Sequence, residues 1–200
     1  MKALHRPDLF GWSVFDEQRN VDFNGTVWVR DEGNIVIDPM PMSEHDQRHL
    51  SELGGAAWVV ITNSDHLRAA QDVAALTGAQ IAGPAGERDA WSSACDRWLS
   101  DGDELVPGLE AIALEGSKTP GELALLIGGH TLVTGDLIRA HRAGSLMILP
   151  DPKLSDRAKA IASVRRIAEI GSIDAVLVGD GWHVFRDGGG ALRTLAASLD

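Results

Sequence analysis

Hydrophobic and polar residues alternate with different periods along the chain, and the first sixty residues predict mainly strands. Residues 10–15, 25–30 and 34–38 are short β-rich runs, and residues 31–33 (DEG) form a turn signal between the last two. Residues 57–62 (AWVVIT) are continuously apolar over the length of a strand, which is typical of a strand covered on both faces. We therefore predict an edge strand, a hairpin and a buried strand.

Apolar residues at helical spacing and capping signals predict four helices. Ser43 and Ser155 are the expected N-caps of the first and third helices, and Gly78 is expected to close the second. Residues 188–190 (GGG) are expected in the loop before the last helix. The predicted ranges are residues 43–54, 65–76, 155–170 and 191–199.

The remaining strands alternate with these helices or form a meander. Residues 80–82 follow the second helix, and residues 174–178 follow the third. Between them, residues 109–114, 122–127 and 131–134 are apolar runs separated by glycine-containing turns, which indicates antiparallel strands. Two sheets with helices on their outer faces satisfy this order of elements.

Composition narrows the class of protein. The 200 residues are 44% hydrophobic and carry a formal net charge of -11, which argues against binding to nucleic acid or to an anionic membrane surface. Cys95 is the single cysteine, so no internal disulfide can form and a reducing compartment is favoured. The first eleven residues lack a signal pattern, and no apolar run is long enough to span a bilayer. We expect a cytoplasmic, soluble protein.

A series of short motifs runs through nearly the whole chain. The motifs are NGTVW (24–28), GNIVID (33–38), TNSDH (62–66), DGD (101–103), KTPGEL (118–123), TGDL (134–137) and VLVGDG (176–181). In order and spacing this series resembles the metallo-β-lactamase fold superfamily. It implies an α/β fold, a four-layer αββα sandwich of two mixed sheets flanked by helices, formed as one domain over residues 1–200.

The resemblance also implies a metal centre. Members of the family usually hold two zinc or iron ions with a His-x-His-x-Asp-His motif after a strand that ends in Thr. A His before Thr-Pro-Gly, an Asp in Gly-Asp and a last His in a Gly-His-Gly loop complete the ligand set. Imidazoles and carboxylates suit zinc, and an open coordination position holds a water that becomes acidic enough to attack at neutral pH.

Two alignments of the first motif remain open. If Asp65-His66 is the Asp-His that ends the motif, the two earlier histidines become Ile61 and Asn63. If Thr62 is the leading threonine, the ligand positions hold Asn63, Asp65, Leu67 and Arg68. Neither alignment restores the histidine pair of the first metal.

The later ligand positions also depart from the family pattern. Lys118 stands where the His before Thr-Pro-Gly is expected, and a protonated amine cannot bind zinc. Asp136 is retained in its Gly-Asp context. Asp180 occupies the last His position, and His183 follows three residues later. We expect Lys118 to form an ion pair with Asp136, with Asp65 or Asp180 as a further partner, because buried charges require compensation.

Two functions follow from these positions. The first is a hydrolase-like protein with an eroded dinuclear site, in which one zinc, manganese or iron ion activates water against a small ester or thioester. The alternative is a metal-free protein with a binding or structural role, whose pocket is held by charge pairing between Lys118 and Asp136. Either function implies a small-molecule substrate or ligand, and a homo-oligomer is compatible with both. The candidate residues are His66, Asp136, Asp180 and His183 as metal ligands, Asp65 and Lys118 in catalysis, and Asn63, Arg68, His141 and Trp182 in substrate binding.

Overall fold

Two β-sheets lie face to face in the computed structural model, which describes residues 1–91 and 94–200. The seven-stranded sheet has the spatial order of the chain: β1 (Lys2–Ala3), β2 (Leu9–Asp16), β3 (Val21–Trp28), β4 (Ile35–Ile37), β5 (Trp58–Val60), β6 (Gln80–Pro84) and β7 (Arg97–Leu99). The first three pairings are antiparallel and the last three are parallel, so the sheet is mixed.

The second sheet has five strands: β8 (Glu104–Val106), β9 (Leu109–Leu114), β10 (Glu122–Ile127), β11 (Thr131–Thr134) and, out of chain order, β14 (Ala175–Val178). It is antiparallel from β8 to β11, and β14 pairs with β11 in parallel. Between β11 and β14 the chain forms a separate hairpin of β12 (Ile138–Arg142) and β13 (Ser145–Ile148). The sequence did not predict this hairpin, because three of the five residues of its first strand are basic.

Four α-helices cover the outer faces of the sheets in the described part of the chain. They are α1 (Glu44–Glu52), α2 (Ala70–Thr77), α3 (Arg157–Ala168) and α4 (Gly188–Ala197). The alternation of side chains along a strand creates the layers. In β4, Ile35 and Ile37 pack between the two sheets, whereas Val36 packs with Leu50 of α1 on the outer face. The predicted αββα sandwich is therefore confirmed.

Helix boundaries differ from the sequence prediction at three places. The predicted second helix is interrupted: residues 64–66 form a 3-10 turn, Arg68 has a φ of +30°, and α2 starts only at Ala70. Asp156 rather than Ser155 caps α3, because its carboxylate accepts the Lys159 N–H at 3.1 Å. Residues 188–190 form the first turn of α4 and not a loop.

Four strands that end at the same edge of the sandwich position the candidate site. Parallel strands β4 and β5 end just before Asp38 and Thr62, and parallel strands β11 and β14 end just before Gly135-Asp136 and Gly179-Asp180. The backbone joins the two sheets here, since the Leu123 N–H donates to the Thr62 carbonyl at 2.8 Å.

Asn24 of β3 makes a second link between the sheets at this edge. Its side-chain amide donates to the carbonyls of Val178 at 2.9 Å and Gly181 at 2.8 Å.

None of the described helices has the length and apolar character needed to cross a bilayer.

Candidate functional site

Asp136 is the centre of a buried cluster of charges. Its side chain is only 4% exposed, and one oxygen, Oδ2, lies 2.8 Å from Nζ of Lys118. The other oxygen, Oδ1, lies 3.3 Å from Nη2 of Arg139 and 3.5 Å from Nε2 of His66. Burial alone raises the pKa of a carboxyl, but His66 and Lys118 outweigh it and hold the pKa of Asp136 well below its usual range. Asp136 is therefore an anion surrounded by basic side chains.

Lys118 bridges two carboxylates. Its ammonium lies 2.6 Å from Asp65 as well as 2.8 Å from Asp136, so the ion pair predicted from the sequence is formed, with Asp65 as the further partner. Burial lowers the pKa of Lys118, but Asp136 and Asp65 reverse this effect and raise it. The amine is thus held in its charged form, in which it has no lone pair for a metal.

His66 is held from behind by a carboxylate that the sequence analysis did not name. Its Nδ1 lies 2.8 Å from Oδ2 of Asp38, and the Thr62 hydroxyl donates to the same oxygen at 2.6 Å. Burial lowers the pKa of His66, but the charges of Asp38 and Asp136 outweigh burial and raise it to about 10. The sequence could have indicated this role, because Asp38 directly follows β4 and the parallel strand β5 ends at the same sheet edge, just before Thr62.

Arginines neutralise the third buried carboxylate of the cluster. Arg139 Nη2 contacts both Asp180 and Asp136, and the Arg139 side chain is only 8% exposed. Arg68 Nη2 lies 3.9 Å from Asp180, and its guanidinium stacks over the Phe23 ring with its carbon 5.1 Å from the centroid. Arg139 lies at the start of β12, three residues after Asp136, and this short loop brings its guanidinium to both carboxylates.

Glu122 lies behind the cluster and is fully enclosed. Its Oε2 accepts the Ser117 hydroxyl at 2.5 Å, and its Oε1 accepts the Leu137 N–H at 2.8 Å. Burial, together with the charge of Asp136, raises the pKa of Glu122 to about 7. The carboxyl of Glu122 is therefore protonated over much of the pH range in which its neighbours are charged.

An open cavity of about 890 Å³ lies over the cluster. The charged groups Asp65, His66, Arg68, Lys118 and Asp136 contribute to its wall. The β2–β3 hairpin (residues 14–19), together with Phe23 and Met40, supplies the rest. The cavity is large enough for a small organic molecule and combines charged and apolar walls.

The structure does not bring every predicted site residue to this cavity. His183 and Trp182 line a different cavity, and Nδ1 of His183 accepts the Val178 N–H at 3.1 Å. Burial lowers the pKa of His183 to about 4. His141 is exposed beside Arg142 on the β12–β13 hairpin. The chain leaves the site after Asp180, which explains the positions of Trp182 and His183, and β12 leads His141 away from the site toward the exposed end of its hairpin.

Asn63 has a local structural role. It is completely buried, and its Oδ1 accepts the Asp65 N–H at 3.0 Å, which caps the 3-10 turn. Ile61, a ligand position in one of the two alignments, packs in the core between the first sheet and its helices. His66 of that alignment lies beside Asp136, whereas Arg68 of the Thr62-led alignment lies beside Asp180, so each alignment has one residue in the cluster.

Three side chains of the cluster could together hold a metal ion. His66, Asp136 and Asp180 each offer one ligand atom, and these atoms lie within 4.8 Å of one another. The chemistry is adequate for a single ion, since imidazole and carboxylate both bind zinc. The residues do not fit a dinuclear centre, because Lys118 and Arg139 already contact the two oxygens of Asp136 as cations.

The fold and this edge-of-sheet site define a class of hydrolase-like proteins, and comparison identifies the family. The family model for the metallo-β-lactamase superfamily matches residues 1–199. The chain therefore belongs to the metallo-β-lactamase superfamily. No curated protein matches the chain.

Solved structures share the fold at low sequence identity. The DIM-1 metallo-β-lactamase is 14% identical, with a TM-score of 0.74 over 98% of this chain and 95% of that one. A metallo-β-lactamase from Pontibacter korlensis is 13% identical, with a TM-score of 0.72 over 96% of each chain. The FIM-1 enzyme from Pseudomonas aeruginosa, solved in a mono-zinc form, is 13% identical, with a TM-score of 0.71 over 94% and 90%. At these identities the similarity defines the fold alone.

Proposed function

We propose that this protein binds a small molecule in a metal-free version of the family's site. The observation that carries the proposal is the environment of Asp136, whose two oxygens are contacted by the ammonium of Lys118 and the guanidinium of Arg139. A divalent cation on Asp136 would lie beside both groups and be repelled by them. The two side chains supply the positive charge that buried carboxylates need.

Charge balance supports this arrangement. Four carboxylates, on Asp38, Asp65, Asp136 and Asp180, face four basic groups in the same cluster. The basic groups are His66, Arg68, Lys118 and Arg139. With His66 protonated, and with the carboxyl of Glu122 behind the cluster also protonated, the cluster is neutral without any ion, so no uncompensated charge calls for a metal.

Lys118 is the group best placed to meet a ligand. An ammonium has three N–H donors, and two carboxylates contact that of Lys118. The side chain is 28% exposed and lines the cavity, so one donor is available to a small molecule. Phe23 and Met40 would cover an apolar part of the same ligand.

A second candidate function has its own supporting observation. Nε2 of His66 and Oδ1 of Asp180 are buried without hydrogen-bond partners, and both belong to the group of three possible ligands. Nδ1 of His66 contacts Asp38, and a metal-binding histidine typically directs its other ring nitrogen at a carboxylate in this way. One zinc, manganese or iron ion held by His66, Asp136 and Asp180 would supply an acidic water for hydrolysis of a small ester or thioester.

Metal content and chelation distinguish the two functions. Protein purified without an affinity tag is dialysed against zinc, manganese or iron, and its metal is measured by mass spectrometry. Thermal unfolding is then followed with and without a chelator. We expect no ion above background and an unchanged melting temperature. About one ion per chain, with a melting temperature that falls on chelation, would instead establish the single-metal hydrolase.

A pair of variants makes the test sharper. Lys118→Gln removes the cation beside Asp136, and we expect it to take up zinc when the unmodified protein does not. Lys159→Gln is the matched control, because Lys159 is exposed and pairs only with Glu115 at the surface. Equal zinc binding by all three proteins would show that Lys118 does not exclude the metal.

A further inference from the structure

The wall of the cavity over the charge cluster presents a carboxylate and an ammonium side by side. Oδ2 of Asp65 lies 2.6 Å from Nζ of Lys118, and both residues line the cavity. The Asp65 side chain is 54% exposed and that of Lys118 is 28% exposed, whereas Asp136, the other partner of Lys118, is only 4% exposed. Asp65 and Lys118 are therefore the charged pair of the cluster that a ligand in the cavity meets.

Each member of this pair keeps hydrogen-bonding capacity toward the cavity. The ammonium of Lys118 has three N–H donors and contacts two carboxylates, so one donor is left. The carboxylate of Asp65 has two oxygens, and within residues 1–91 and 94–200 its one ion pair, that with Lys118, is made by Oδ2. Oδ1 is then left as an acceptor. The wall thus offers one donor and one acceptor next to each other.

The charged side chains of the cavity wall balance when His66 is protonated. The basic ones are Arg19, His66, Arg68 and Lys118, and the acidic ones are Asp16, Glu17, Asp65 and Asp136. A ligand with a net charge would add a charge that none of these side chains is left over to neutralise. The balance therefore favours an uncharged ligand.

Apolar side chains line the same cavity beside the charged pair. Val14 of β2 is paired with Phe23 of β3, so their side chains lie on the same face of the hairpin. Both residues line the cavity together with Met40. Cavities of this kind, with apolar walls and a few polar groups that fix orientation, are typical of small-molecule sites. The apolar side chains favour a ligand with a flat apolar body.

We propose that the ligand of this site is an uncharged primary or cyclic amide that carries a flat apolar group. In such an amide the C=O and an N–H point the same way, so the carbonyl accepts from Lys118 and the N–H donates to Asp65. The apolar group packs against Val14 and Phe23. A ligand carboxylate would direct a second acceptor at the anion of Asp65, and an amidinium would direct a second donor at the cation of Lys118. This inference rests on the proposed function, because a metal ion on Asp136 would change the charge of the wall.

Benzamide, benzoate and benzamidine are the probes, because they share one ring and a planar head group of nearly the same size. Benzamide is neutral with a donor and an acceptor, benzoate is an anion with two acceptors, and benzamidine is a cation with two donors. Their affinities for the full chain are measured by NMR titration at neutral pH. We expect benzamide to bind at least about fivefold more tightly than either charged probe, as one additional satisfied hydrogen bond predicts.

Two variants test the role of the charged pair. Asp65→Asn removes the anion beside Lys118 at an exposed position, and we expect benzoate to bind this variant more tightly than benzamide, because Lys118 then faces the probe without its exposed counter-charge. Asp72→Asn is the matched control, since it makes the same change of charge on the exposed side of α2, outside the residues that line the cavity. It should keep the order of the three probes found for the unmodified protein.

Three results would overturn the amide ligand. The first is tighter binding of benzoate or benzamidine than of benzamide by the unmodified protein, and the second is the same order of probes in Asp65→Asn and Asp72→Asn. Both would leave a metal-free small-molecule site in place. The third is no binding of any probe at millimolar concentration by protein that contains no metal. Uptake of about one zinc ion per chain by the unmodified protein would instead overturn the proposed function itself.

Discussion

The ammonium of Lys118 lies 2.8 Å from the carboxylate of Asp136 at the centre of the site. Asp136 is almost fully enclosed, whereas Lys118 reaches it from the cavity wall. The pair therefore joins a buried anion to a partly solvated cation. This difference in burial determines how much the free energy of unfolding falls when a charged partner of Asp136 is removed.

We expect Lys118→Met to lower the free energy of unfolding by about 2–3 kcal/mol, below the usual cost of breaking a fully buried pair because Arg139 and His66 still face Asp136. Urea denaturation measures the change. Lys159→Met should change the free energy by no more than about 0.5 kcal/mol, since its ion pair is exposed. If Lys118→Met lowers the free energy of unfolding by only a few tenths of a kcal/mol, the ammonium does not stabilise Asp136.

Removal of Arg139 should cost more than removal of Lys118. Its guanidinium lies between Asp136 and Asp180 and is only 8% exposed, so both carboxylates lose their charge-assisted contact. We expect Arg139→Gln to lower the free energy of unfolding by about 3–5 kcal/mol. Arg142→Gln, at the exposed end of the same strand, is the control. If the two substitutions have equal effects, Arg139 is not the counter-charge of the cluster.

The two buried or half-buried histidines should titrate in opposite directions. The pKa of His66 is raised to about 10 and that of His183 is lowered to about 4. At neutral pH, ring-nitrogen NMR should therefore show His66 as imidazolium and His183 as neutral imidazole. A neutral His66 at pH 7.5 would contradict the metal-free charge balance.

The raised pKa of His66 also predicts a pH dependence of stability. A group that binds its proton more tightly when folded stabilises the protein fully below its unfolded pKa of about 6.5. This contribution is lost as the pH rises through about 10. The free energy of unfolding should fall over that window, and His66→Gln should flatten the fall.

Glu122 should make stability fall with pH in a lower window than His66 does. Its folded pKa is about 7, against 4.5 for the free side chain, so the stability that its proton contributes is full below pH 4.5 and is lost as the pH rises through 7. Glu122→Gln keeps the shape and removes the charge. Its stability relative to the unmodified protein should rise by about 2.5 kcal/mol between pH 5 and pH 8, which denaturation at the two pH values measures. No change in this difference would place the pKa of Glu122 near its ordinary value.

The layers of the fold could be predicted because the periodicity is strong where both faces of a strand are buried. The run that contains Val59 and Val60 and the meander around Leu125 were identified as strands on this ground. The β12–β13 hairpin was missed, since Arg139, His141 and Arg142 make its first strand polar. The start of α2 was placed too early because nothing in the sequence signals the positive φ of Arg68.

The site could be predicted only in part, because its contacts join distant segments. The motif order was sufficient to expect the pair of Lys118 and Asp136. It was not sufficient to place His183, since a separation of three residues from Asp180 does not say which cavity the side chain faces. Asp38 was missed because its partner His66 lies 28 residues further along the chain.

Asn24 joins the two sheets at the site edge through carbonyls more than 150 residues away in the chain. A clasp of this kind holds the two sheets together at the edge that carries the charge cluster. We expect partial unfolding to start at the opposite edge, so the cluster should stay assembled while other parts of the sandwich open.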